Sequence, residues 1–404
     1  MAATLLQPAW PRQPMFSPRT SFHRAVGFAI VAAMTHAATP LADSVTFPGG
    51  ATAPNRCWLA PMTNQQSHAD GTLSDDEHAW LLRRASFGVV ETCAAYIADD
   101  GKGWPGELGV ADDIHDPGLA RLAADLTATG SLGLVQIFHG GVRSPSALTG
   151  TQPWSASTWQ ENTPDFEPPR PADERDILRA IDQFRAAATR SRRAGFHGVE
   201  LHGAHGYLLG QFLSRTMNPR GDGWGGDLVG RARLLREATR AVRAANPHPF
   251  LVGVRISPED FGNARGIDLD ESLQLAAWLA EDGVDFLHIS LWDWTRNTAK
   301  RPDAHPIPLF RAALPSHLPL VAAGKIWTRD DAERVIDLGA DFIALGRAAI
   351  ANPDWPQQVR DPNWQPTRPP HQPADLIQKA VSPTLVTYLR RWKGFIADDP
   401  PSVV

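Results

Sequence analysis

His202, His205 and Tyr207 fall close together in the run Gly-Val-Glu-Leu-His-Gly-Ala-His-Gly-Tyr that spans 198–207. Two imidazoles at that spacing can donate N–H groups to one substrate oxygen, which polarises a carbonyl and stabilises an enolate as charge develops. A phenol with an ordinary pKa of about 10 holds its proton at neutral pH and can deliver it to carbon. A His-x-x-His pair can also ligate a metal, but no third ligand at helical spacing accompanies it, and no metal is expected. Tyrosine is scarce, three residues against 14 Trp and 16 Phe, and of Tyr96, Tyr207 and Tyr388 only Tyr207 lies in the histidine-rich run.

These residues end a short apolar run, one of eight that read as strands: 57–61, 89–95, 133–139, 198–202, 251–257, 286–291, 320–324 and 342–346. They are apolar or β-branched almost throughout, as strands buried on both faces are. Amphipathic segments at 75–86, 117–129, 173–194, 227–245, 270–282 and 328–338 read as helices, with Asp173, Asp270 and Thr328 as the best N-caps. Regular alternation of this kind predicts a single-domain α/β (β/α)8 barrel with loop insertions at its C-terminal face, where barrel chemistry takes place. An open doubly wound sheet competes less well, because no G-x-G-x-x-G follows the first strand. The segment 149–171, with five prolines and Trp154, Trp159 and Phe166, reads as a long loop and a candidate lid. The tail from 374 to 392 reads as helical, a capping segment or an arm that reaches a neighbouring subunit.

Composition narrows the function. The 404 residues carry 39 Lys plus Arg against 44 Asp plus Glu, a net charge of −5, so nothing favours nucleic acid or an acidic membrane as partner. No apolar run approaches the roughly 18 residues of a spanning helix. Cys57 and Cys93 are the only thiols, too few for a Cys-ligated iron–sulfur cluster. Residues 1–44 form an N-terminal extension ahead of the 45–404 barrel domain. The first acidic residue is Asp43, and 26–34 is apolar, so the extension is read as disordered or as a targeting peptide on an otherwise cytoplasmic protein.

The 198–207 segment, with Phe212-Leu-Ser, Asn218-x-Arg220-x-Asp222, Trp224-Gly-Gly and Arg231-x-Arg233, resembles the old yellow enzyme family of FMN-dependent ene-reductases from about 54 to 359. The resemblance implies that His202 and His205 bind a substrate carbonyl oxygen and that Tyr207 donates the proton. It implies flavin contacts from Ala60-Pro61-Met62-Thr63, with Thr63 tuning the redox potential, and from Ala94, the small residue that lets the ring approach. Gln136 would pair with the pyrimidine edge and Arg255 would stabilise the reduced, anionic ring. Ala323, Gly324 and Lys325 with Gly346 and Arg347 end the last two strands, where glycine N–H groups and an arginine suit a phosphate. The expected reductant is NADPH or NADH, and the expected partners are that nicotinamide and a small α,β-unsaturated substrate, with self-association left open. A hydroxy-acid or dihydropyrimidine type of FMN barrel, and a non-catalytic flavin-binding barrel, remain as alternatives. Gln65 departs from the family, where an aromatic residue often faces the substrate. Trp104, Trp154, Trp292 and Trp294 are candidates to line the same mouth.

Overall fold

A computed structural model describes residues 39–162 and 166–397. Its centre is a closed barrel of β1 (Cys57–Leu59), β2 (Val89–Tyr96), β3 (Leu132–Phe138), β4 (Gly198–His202), β5 (Leu251–Ile256), β6 (Phe286–Ser290), β7 (Leu320–Ala323) and β8 (Phe342–Leu345). Each strand pairs in parallel with its sequence neighbours, and β8 closes on β1. Every residue of all eight strands is buried, which explains why the sequence shows continuous apolar runs instead of alternation. The eightfold α/β barrel expected from the sequence is the fold observed.

The helices that cover the barrel are α1 (Asp75–Leu82), α2 (Asp116–Ala128), α3 (Glu174–Arg193), α4 (Leu228–Ala245), α5 (Leu269–Glu281), α6 (Pro306–Ala313), α7 (Arg329–Asp337) and α8 (Arg347–Ala351). Asp173 and Thr328 close capping boxes on α3 and α7. The third expected cap is corrected: Asp268 caps α5 by accepting from the Asp270 and Glu271 amides, and Asp270 lies in the first turn. The tail is also corrected. It is two short helices, Pro373–Ile377 and Pro383–Leu389, separated by Ala380 in a left-handed conformation (φ 56°) and by a proline whose missing N–H cannot continue the first.

The bottom of the lumen is sealed by aromatic packing. An antiparallel ribbon, Val45–Thr46 with Thr52–Ala53, carries Phe47 into the opening. There Phe47 stacks on Phe342 (5.4 Å, 11°) and meets Trp58 and Phe286 edge-on. Phe286 leaves no room for a side chain at position 253, where a Cβ would come within 2.0 Å of its ring. Of the N-terminal extension, residues 1–38 lie outside the described residues; Leu41 is buried and the Thr39 hydroxyl donates to Glu333 at 2.9 Å. Cys57 and Cys93 are buried and unbridged. Among the described residues, no helix is long and apolar enough to cross a membrane.

Candidate active site

β4 and β5 place His202 directly beside Arg255 in the ladder. Beyond His202 the chain turns sharply through His205 (φ 62°) and Gly206 (φ 75°), where a Cβ on Gly206 would strike the Asn263 carbonyl at 2.4 Å. A left-handed histidine is strained and is held because its amide donates to Ser257 Oγ (3.2 Å). The turn brings the two imidazoles together, ring centroids 4.9 Å apart and planes perpendicular. Tyr207 follows, 5.0 Å from His202, with its ring edge-on to Phe138 at 4.8 Å and 6.5 Å from Trp104. The three residues that the sequence singles out therefore lie together at the C-terminal end of β4.

Electrostatics fixes their protonation. Burial, reinforced by His205 and by Arg255, holds His202 well below the ordinary imidazole value; burial and Arg255 do the same to His205. Both are neutral, so each offers one N–H and one lone pair. Burial among its neighbouring rings, with Tyr388 nearby, pushes the Tyr207 phenol above its usual value and keeps it a proton donor. His202 Nδ1 is buried with no hydrogen-bond partner among the described residues, as is Arg255 Nε.

The expected cofactor residues border the same opening. Ala94 packs with Tyr96 and Phe138 against the half-buried Trp104 and Tyr207. It is aimed there by a bulge in β2 that sets Glu91 opposite Leu134 but Ala94 opposite Gln136. Gln136 donates its amide to Glu200 at 2.7 Å. Arg255 donates to Ser290 Oγ (3.0 Å), the same oxygen that His205 Nε2 meets at 2.7 Å. At the far side, the Ala60 amide donates to the Leu345 carbonyl (3.1 Å), tying the Ala60-Pro61-Met62-Thr63 turn to the end of β8. A Cβ at Gly346 would meet only Met62 within 4 Å, its Sδ at 3.4 Å. Thr63 touches Tyr388 of the C-terminal segment.

The residues expected to hold the phosphate stand at the ends of β7 and β8, Ala323 and Gly324 beside Lys325, and Gly346 beside Arg347. The Lys325 ammonium is paired with Asp293 at 2.8 Å. Lys325 is a further left-handed residue (φ 53°), as is Gln65 (φ 56°) after β1, so three of the eight strand ends carry non-glycine residues in that conformation. This cradle fits a flavin mononucleotide: Gly346, open except for Met62, for the phosphate, an amide and a guanidinium for the ring, and at Arg255 Nε a buried nitrogen with no hydrogen-bond partner among the described residues.

Several residues had no assigned role in the sequence. Ser290 and Ser257 orient His205, and Glu200 holds Gln136. Conversely, the Asn218–Arg233 motif is structural. Asn218 donates to the Phe212 and Trp224 carbonyls (2.7 and 2.8 Å), and Arg220 reaches the carbonyls of Ala156 in the long loop and Ala172 just after it (2.9 and 2.8 Å). Arg233 lies 4.0 Å over Trp224. Trp154 and Trp294 are buried packing residues, Trp154 donating to Asp100 at 3.1 Å, while Trp292 is exposed near Phe261.

Comparison with known proteins agrees. The family model described as NADH:flavin oxidoreductase / NADH oxidase matches residues 48–363. A probable NADH-dependent flavin oxidoreductase, YqiG, of Bacillus subtilis is 36% identical over 332 residues, 80% of this chain and 88% of that protein. An NADH:acrylate oxidoreductase of Vibrio harveyi is 32% identical over 326 residues; the match takes in 78% of this chain but only 32% of that much longer protein. Among solved structures, the old yellow enzyme homologue of Zymomonas mobilis superimposes with a TM-score of 0.73 at 29% identity, covering 80% of this chain and 93% of that one.

Proposed function

The chain belongs to the NADH:flavin oxidoreductase / NADH oxidase family, and on that premise we propose that it reduces the activated C=C bond of α,β-unsaturated carbonyl or nitro compounds. Its cofactor is FMN and its reductant a nicotinamide dinucleotide. FMN, held by Gln136, Arg255 and the glycine ends of β7 and β8, would supply hydride chemistry between the nicotinamide and the β-carbon of the alkene. His202 and His205 bind the substrate oxygen through their N–H groups and stabilise the negative charge that builds on it. Being neutral, they polarise without giving up a proton. Ser290 and Ser257 keep His205 pointed at that oxygen. Tyr207 then gives its phenolic proton to the α-carbon, and solvent replaces it. Phe138 and Trp104 close the wall behind the phenol and limit water there.

The observation that carries this reading is the perpendicular histidine pair, with one nitrogen unpartnered among the described residues, beside a phenol held protonated. Acrylate, the compound named for the Vibrio harveyi relative, is itself an activated alkene. Tyr207→Phe tests the assignment. Flavin reduction by the nicotinamide should keep its rate while reoxidation by an enone slows by about 10²–10⁴-fold. Equal reoxidation rates in wild type and variant would remove Tyr207 from the mechanism.

A further inference from the structure

Below the mouth, the middle of the lumen is polar. Glu91 of β2, Gln136 of β3, Glu200 of β4, Arg255 of β5 and His288 of β6 form one layer, each nearly or fully buried. A carboxylate oxygen from each glutamate and a ring nitrogen of His288 lie within 4.8 Å of one another. Two ionised carboxylates so close, out of water, repel strongly, and one pKa must rise. Their partners differ. Glu200 accepts from Gln136 Nε2 and from His288 Nδ1, both at 2.7 Å. Glu91 accepts only from the Trp58 indole (2.8 Å), and its Oε1 has no partner among the described residues. An oxygen with nothing to accept from is the one that should carry a hydrogen.

We propose that Glu91 and Glu200 hold a single proton, resident on Glu91, and that Glu200, kept ionised, is a positioning residue for the cofactor-facing Gln136 and for Arg255. Accepting from Nε2 fixes which way the Gln136 amide faces, and accepting from Nδ1 fixes the His288 tautomer. Glu200 is also the counter-charge of the buried Arg255 guanidinium, which leaves the layer neutral instead of carrying a net −1 beneath a ring that becomes anionic on reduction. The groups facing the pair are Trp58, Gln136, Arg255, His288 and, above them, His202, His205 and Ser290. Of these only Arg255 is charged at neutral pH. Burial and the nearby Glu200 push the Glu91 carboxyl well up. Burial opposes ionisation of Glu200 too, but His288, Arg255 and Gln136 hold its value down. The three groups could also accept a cation, an arrangement that the adjacent Arg255 opposes. The inference rests on the FMN site and not on the identity of the alkene.

Glu91→Gln and Glu200→Gln separate the roles. With FMN bound, Glu91→Gln should leave the flavin midpoint potential unchanged, because it replaces a neutral group by a neutral group. Glu200→Gln removes a negative charge and should shift the potential positive, while FMN affinity falls roughly tenfold with the lost charge-assisted hydrogen bonds. Equal positive shifts in both variants would overturn the proposal. A second measurement needs only Glu91→Gln. A group whose folded pKa is raised contributes stability below its unfolded value and loses it as pH rises. The melting temperature of Glu91→Gln relative to wild type should therefore climb from about pH 5 to about pH 8. A flat difference over that range, or one equivalent of metal in the purified wild type that Glu91→Gln abolishes, would also overturn it.

Discussion

The two ends of one barrel lumen are built on opposite rules. At the bottom, Phe47, Trp58, Phe286 and Phe342 fill the space with rings 4.9–6.4 Å apart and no unmet polar group on their side chains. At the top, His202 Nδ1 and Arg255 Nε are buried without partners among the described residues, and Gln65, His205 and Lys325 hold left-handed backbones. Trp58 marks the boundary, its ring in the aromatic plug and its N–H on Glu91. The bottom maximises burial, whereas the top accepts strain and unmet hydrogen bonds. That asymmetry separates the half that stabilises the barrel from the half proposed to carry the chemistry.

Each half should fail in its own way. Phe47→Ala should cost about 3–5 kcal/mol of stability, measured by denaturant unfolding, since it empties a fully packed site. The flavin spectrum and alkene rate of the surviving fold should stay as in wild type. Loss of flavin at unchanged stability would erase the division. His202→Ala should do the reverse, slowing reoxidation by an enone about 10²–10³-fold, as loss of an oxyanion donor does, with unfolding shifted far less. The smallest effect is a pH profile. The histidines are held below their ordinary pKa and Tyr207 above its own, so reoxidation by an enone should stay level from about pH 6 to about pH 9. A break near the ordinary histidine value would show that water reaches the histidine pair.

Much of this architecture is legible in the sequence. The strands stand out because a parallel barrel buries both faces, and the expected ends lie within two residues of those observed. Helix α6 was not readable: prolines at 306 and 308 occupy its first turn and its eight residues are too few to show a period. The His–His–Tyr run was plain because one tight turn supplies all three residues. The polar layer is hard to read from sequence because each strand contributes a single member. The signal was there, a glutamate or histidine inside Val-Val-Glu-Thr, Val-Glu-Leu-His and Phe-Leu-His-Ile, where a charge in a doubly buried strand needs a partner. Ser290, the hub between Arg255 and His205, carries no such mark, because a serine at a strand end is ordinary.

Mixing the NADH-reduced holoprotein with an α,β-unsaturated aldehyde under strict exclusion of oxygen tests the central claim most directly. The oxidised flavin spectrum should return with one equivalent of alkene converted to the saturated aldehyde. A flavin that stays reduced with a panel of enals, enones and nitroalkenes, and reoxidises only when air is admitted, would contradict it.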